Sequence, residues 1–241
     1  MRLAAAHARA QTLELARHPS FVVPTLAFPA LFFLFFVAPS STIAPREALA
    51  SYLGFAVLGV AFFQFGVGIA VDRVSPWEAY LRTLPATPLT RFAARIAVAA
   101  VFGFCSAAVV GAVAIVTVHP SLSWSRWASL GAALVLGSVP FALLGIAIGY
   151  WATPRGALPA ANLLYLGLSY AGGLWTGPGR LPRSVESLSP YLPTRQYGEL
   201  LWSAALGSLR LGTVGALALF ASAFGLAAVW GYRRDEGSRF R

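Results

Sequence analysis

Long apolar runs alternate with short arginine-bearing segments along the whole chain. Six runs approach the roughly 20 apolar residues that cross a bilayer as a helix: 21–38, 50–71, 92–118, 127–150, 158–176 and 211–232. The first holds Pro24 and Pro29, so a kinked or broken helix is expected there. The fifth is the most polar, with Asn162, Tyr165, Ser169, Tyr170, Gly172 and Gly173. The pattern predicts an all-α polytopic membrane protein with six transmembrane helices in one membrane domain, 1–241.

Three segments outside the runs have their own patterning. In residues 1–18, Leu3, Ala6, Ala10, Leu13 and Arg17 recur at helical spacing, and Pro19 ends the stretch. That spacing fits an amphipathic helix in the membrane interface, or else a frayed tail. Residues 72–91 start with charge, continue with helix formers and finish with two prolines. Ser75 suits an N-cap, Pro76 the first helical position and Glu78 the first turn. Trp77, Tyr80, Leu81 and Leu84 then fall at i, i+3, i+4 and i+7, one apolar stripe. Residues 177–210 open on Gly177-Pro178-Gly179, are broken by further prolines, and end in a helical stretch over 194–206. This loop is too apolar for free solvent and too charged to span. Short re-entrant helices on the outer side, before the last span, are expected.

Composition supports membrane embedding. The chain is 58% hydrophobic and 11% charged, against about 25% charged in soluble domains, and its mean hydropathy is +0.70. The net charge of +10 is carried by arginine alone. The arginines sit at the ends of the runs instead of on one face, which argues against nucleic acid as a partner. With the N-terminus inside, twelve arginines fall in the inner segments and six in the outer ones. The positive-inside rule then puts both termini in the cytoplasm. Trp124, Trp127, Trp151, Trp175 and Trp230 lie near run ends, where an aromatic belt would hold them. The first run lacks a small-residue cleavage pattern behind it, so no cleavable signal peptide is expected.

Catalytic signatures are missing from the sequence. It has no P-loop, no dinucleotide-binding glycine pattern and no HExxH helix. Cys105 is the lone cysteine, and His7, His18 and His119 are far apart, so neither a metal site nor a triad is expected. No Asp or Glu falls near the middle of a run, where ion-coupled carriers and intramembrane hydrolases keep ionisable groups. The chain is read as a non-enzyme whose driving energy comes from elsewhere.

These features together resemble the ABC-2 type permeases, the membrane subunits of type V fold ABC transporters. The likeness extends over nearly the whole chain. It includes the N-terminal helix with its Arg17-His18-Pro19 entry and six spans with both ends inside. It includes a loop after span two with Asp72-Arg73, Glu78, Leu81, Leu84-Pro85 and Pro88. It ends with Leu181-Pro182 and Tyr191-Leu192-Pro193-Thr194 before span six. One departure stands out: Pro76-Trp77 replaces the family's usual Gly-Thr.

The resemblance implies an ATP-driven exporter in a bacterial cytoplasmic membrane. Two permeases, identical or paralogous, would enclose a path, each held by one of two copies of a separately encoded ATP-binding subunit. This chain would hold no cofactor of its own, with ATP and Mg on that partner. Residues 75–84 would form a coupling helix docked on the ATPase, with Asp72, Arg73, Trp77, Glu78, Tyr80, Leu81 and Leu84 as contacts. The apolar stripe also fits contact with lipid or with the chain's own spans, and Asp72-Arg73 also fits a plain water boundary. Phe62, Phe63, Asn162, Tyr165, Ser169 and Tyr170 are candidates for the path or the dimer seam, with ordinary helix packing as the alternative. Apolar, aromatic walls point to a hydrophobic or amphiphilic cargo such as a drug, a lipid or a lipid-linked molecule. The alternative is an ATP-independent secondary transporter or channel.

Overall fold

The computed structural model describes residues 2–39, 43–76, 88–208 and 210–239, and all regular structure among them is helical. In chain order the helices are α1 (Arg2–Ala16), α2 (Pro19–Phe36), α3 (Pro45–Asp72), α4 (Pro88–Thr117), α5 (Trp124–Trp151) and α6 (Pro154–Ala171). Then come α7 (Arg183–Glu186), a 3-10 turn at Ser189–Tyr191, α8 (Pro193–Leu206) and α9 (Leu211–Arg239). Within α3 the winding changes: α-helical over Pro45–Val60, π-helical over Ala61–Val67, α-helical again over Gly68–Asp72.

Among the described residues, five helices are long and apolar enough to cross a membrane: Pro19–Phe36, Pro45–Asp72, Phe92–Thr117 within α4, Trp124–Trp151, and Gly212–Glu236 within α9. This makes the chain a multi-pass membrane protein. Helix α6, which falls in the fifth run, does not reach that apolarity, because its 18 residues include Arg155, Pro159 and Asn162.

Helix ends follow local chemistry more closely than the apolar runs do. Helix α3 starts before position 50 because Pro45 fits its first position and Glu47 its first turn. Helix α6 starts at Pro154, where the Thr153 hydroxyl accepts from the Gly156 amide at 3.1 Å. It stops before 176, at Ala171, where Gly173 turns the chain at φ +80°. Helix α9 carries its winding through the charged residues Arg233 to Glu236, past the apolar run.

Helix α2, expected to be kinked or broken, is continuous through Pro24 and Pro29. Pro29 has no amide to offer the Thr25 carbonyl, one turn back. The Ser106 hydroxyl of α4 donates to that carbonyl at 2.9 Å, so a neighbouring helix supplies the missing donor.

The bundle is built around α3, with 72% of its span window buried, against 17% for α2 and for α9. Phe35, Phe104, Val116, Leu219 and Leu226 point outward, as side chains facing lipid do. Helix α5 closes on the π-helical stretch through Gly145 and Gly149. A Cβ at Gly145 would lie 2.7 Å from the Ala61 carbonyl oxygen, and one at Gly149 would lie 2.7 Å from that of Phe65. Small residues four apart thus let two backbones touch. Beyond α6, α8 folds back against the bundle. Tyr197 is fully buried against Phe141, with ring centroids 5.4 Å apart, and burial pushes its hydroxyl far above the ordinary tyrosine range. Trp202 Nε1 donates to Ser51 Oγ at 2.7 Å. At the other end, Ala8 and Leu15 of α1 pack with Phe21 and Val22 of α2 on Val60, Val98 and Phe102.

Candidate functional site

A cavity of about 500 Å³ lies among α1, α2, α3 and α6. Phe21, Pro24, Phe28 and Pro29 of α2 form one wall, and Ala56 to Asp72 of α3 supply the opposite one, including the π-helical Phe63, Gln64 and Val67. Leu158, Asn162 and Tyr165 of α6 close a third side, and Leu15 of α1 touches one end. The lining is mostly apolar with a few amides and hydroxyls, the usual chemistry of a small-molecule site.

The π-helical turn shapes this wall. Its wider winding displaces the ladder of backbone hydrogen bonds and is common where a helix does a job besides spanning. The Gln64 carbonyl accepts from Arg95 Nη1 of α4 at 3.0 Å. Gln64 is 6% exposed, and its Nε2 is buried with no partner among the described residues. Tyr165 is buried opposite, stacked on Phe55 with centroids 4.6 Å apart, and its hydroxyl donates to the Phe55 carbonyl at 3.1 Å.

A polar lattice surrounds the root of the loop that follows α3. Arg95 uses its other terminal nitrogen to bind the Asp72 carboxylate. Next to it, Arg73 Nη1 donates to Asp235 Oδ1 of α9 at 2.8 Å, and Nη2 donates to the Ala152 carbonyl between α5 and α6 at 2.6 Å. The Arg234 guanidinium lies 5.2 Å from the Trp151 ring centroid, close enough for a cation–π contact. Four helices, α3, α4, α5 and α9, are tied together where that loop begins.

Of the residues the sequence singles out, Phe63, Asn162, Tyr165 and Asp72 meet in the cavity lining. Phe62 is buried on the far side of α3, between Phe141 and Tyr165. Ser169 is buried one turn and more beyond Tyr165, and Tyr170 stands against Trp175 with centroids 5.7 Å apart; neither lines the cavity. Arg73 sits in the lattice. Trp77, Glu78, Tyr80, Leu81 and Leu84 lie outside the described residues. Sequence reasoning missed Gln64, Arg95 and Asp235. Gln64 had a signal, an amide in the middle of an apolar run; the π-helical turn and the 162-residue span between Arg73 and Asp235 had none.

No protein-family model matches the chain, and no solved structure matches it. One curated protein is similar: "Putative transport permease YvfS" of Bacillus subtilis (strain 168), 26% identical over 204 residues, which cover 82% of this chain and 83% of that protein. That similarity is consistent with the ABC-2 type permease resemblance carried by the sequence.

Proposed function

We propose that this chain is the permease subunit of an ATP-driven ABC exporter, working as a dimer with a second permease and driven by a separately encoded ATP-binding subunit. The observation that carries this reading is Arg95. It joins Asp72, at the root of the loop, to the Gln64 carbonyl, in the cavity wall. A pull on the loop therefore reaches the π-helical turn without passing through solvent. The similarity to a transport permease supports the same reading.

In this mechanism α6 is the sixth crossing segment, its polar residues covered by its neighbours α3 and α8. Helix α1 lies in the cytoplasmic interface, both termini are cytoplasmic, and 75–84 is the coupling helix that docks on the ATPase. ATP and Mg stay on that partner, which does the chemistry, while this chain supplies the path for a hydrophobic or amphiphilic cargo. Binding of ATP would move the coupling helix. Asp72 and Arg73 would transmit that motion to α4, α5 and α9, and the cavity wall would shift with them.

The test is co-purification with a candidate P-loop ATPase encoded beside this chain. The wild type is expected to form a complex that hydrolyses ATP, and Trp77→Ala with Glu78→Ala is expected to lose or uncouple it. A complex indifferent to that double substitution moves the docking surface elsewhere. Failure to find any ATPase partner, together with transport that needs no ATP, overturns the reading in favour of a self-sufficient carrier.

A further inference from the structure

One side of α9 is left uncovered by the rest of the chain. Leu219, Leu226 and Trp230 are exposed along it, and the exposed Arg234 follows. Steps of seven, four and four residues keep the four on one face. From Leu219 to Trp230 that face runs about 16 Å, close to the roughly 15 Å of one leaflet's hydrocarbon layer. An apolar strip of acyl-chain length thus ends on a cation.

The cation is held in a defined setting. Trp151, at the end of α5, lies in a notch of α9, where a Cβ at Gly231 would come 2.7 Å from its Nε1. That Nε1 donates to the Ala227 carbonyl at 3.1 Å. Trp230 meets the Trp151 indole edge-on, with centroids 4.7 Å apart, and the Arg234 guanidinium lies over the same indole. A cation–π contact engages the charge without a hydrogen-bond acceptor. The donors that make bidentate bonds to phosphate stay open.

Charge defines the ligand. Arg155, Arg233 and Arg234 are exposed at this end, and none pairs with a carboxylate among the described residues. The two acidic neighbours are engaged elsewhere, Asp235 with Arg73 and Glu236 with the Tyr232 hydroxyl at 2.6 Å. The contact of Arg195 with Trp202 is the contrast. The Arg195 side chain is 11% exposed and paired with Glu186 and Glu199, so it is neutralised within the protein. Arg234 is exposed and uncompensated beside an uncovered apolar strip. An anion that carries acyl chains satisfies both. A zwitterionic headgroup would bring an ammonium among the same arginines. Basic clusters at the ends of membrane helices attract anionic lipids for this reason.

We propose that this end of α5 and α9 is a binding site for an anionic phospholipid, its phosphate on the Arg234 guanidinium beside Trp151 and Trp230, and its chains along Leu226 and Leu219. The site is separate from the cavity and needs neither cargo nor ATPase.

The experiment uses the full chain in phosphatidylcholine nanodiscs doped with phosphatidylglycerol that carries a diazirine in one acyl chain. Phosphatidylcholine with the same diazirine chain is the zwitterionic counterpart, and cross-links are mapped by mass spectrometry. Phosphatidylglycerol is expected to label 219–234 of α9 or the adjoining end of α5, with at least severalfold preference over phosphatidylcholine. Arg234→Gln is expected to raise its half-saturation roughly fivefold or more. Arg234→Lys, which keeps the charge and loses the planar fork, should fall between. Trp230→Ala should weaken labelling as well. Arg46→Gln, which removes an exposed arginine at the opposite end of the bundle, should change nothing. Both Arg234 and Trp230 are exposed, so the melting temperature in probe-free discs should hold. Equal labelling by phosphatidylcholine, labelling spread around the bundle, labelling indifferent to Arg234→Gln, or an equal loss with Arg46→Gln overturns the proposal. The assay holds no ATPase, so its failure sinks this site alone, and loss of the exporter reading leaves the site standing.

Discussion

The two ends of the bundle each hold a cluster of ion pairs, built on different plans. At the end where the loop leaves α3, Arg73 reaches Asp235, 162 residues away, and Arg95 reaches Asp72 and the Gln64 carbonyl. At the opposite end the charges stay within one loop and its flanking helix. Arg195 contacts Glu186 at 3.4 Å and Glu199 at 3.1 Å, and Glu199 contacts Arg210 at 2.8 Å. Arg195 also lies 5.5 Å from the Trp202 ring centroid. The first cluster joins helices that are distant in sequence, so strain on one reaches the others. The second fastens a local segment to itself and to α8. On the proposed reading, a permease driven from the loop side would use the first plan there and the second at the other end.

The largest effect is expected from Arg73→Ala. It removes the guanidinium that holds the Asp235 carboxylate, whose side chain is 9% exposed. Breaking a buried pair from one side costs on the order of 3 kcal/mol, read as unfolding in detergent. Arg73→Ala with Asp235→Asn should recover part of that loss. Arg95→Ala should cost less, about 2 kcal/mol, because the Asp72 side chain is 47% exposed; its signature is uncoupled ATP hydrolysis in the complex. Arg195→Ala should cost about 1 kcal/mol, with no change in hydrolysis, since Glu199 keeps Arg210. Smallest of all is Arg210→Ala, at about 0.5 kcal/mol and erased by salt, because that arginine is 69% exposed. If Arg195→Ala proved costlier than Arg73→Ala, or uncoupled hydrolysis, the contrast between the two ends would collapse.

Much of the fold was legible because lipid demands it. Apolar length alone marks α2, α3, α4, α5 and α9. Helix α6 was legible as a helix but fails the same apolarity test. Its Asn162, Tyr165 and Ser169 are tolerable because other helices cover them, and hydropathy cannot see covering. The helical stretch over 194–206 was readable from its residues, whereas its burial through Tyr197 and Trp202 depends on tertiary contacts. The cavity was legible in part. Phe63, Asn162 and Tyr165 stood out by type, but the change to π-helical winding at Ala61 has no sequence signature beside the glycines of α5 that let it fit. Phe62 and Phe63 look equivalent in the sequence. Consecutive residues of a helix point in different directions, so one lines the cavity and the other faces Phe141.

The hydrogen bond from Ser106 to Thr25 also fixes an order of events during biogenesis. The carbonyl freed by Pro29 leaves the ribosome 81 residues ahead of the hydroxyl that satisfies it. At bacterial and eukaryotic synthesis rates that gap lasts roughly ten seconds. For that interval the first span carries a naked acceptor, which favours keeping it beside the insertion machinery until α4 arrives. A nascent chain stalled before position 106 should therefore stay in cross-linking contact with the translocation channel through α2, and one stalled well beyond it should be released.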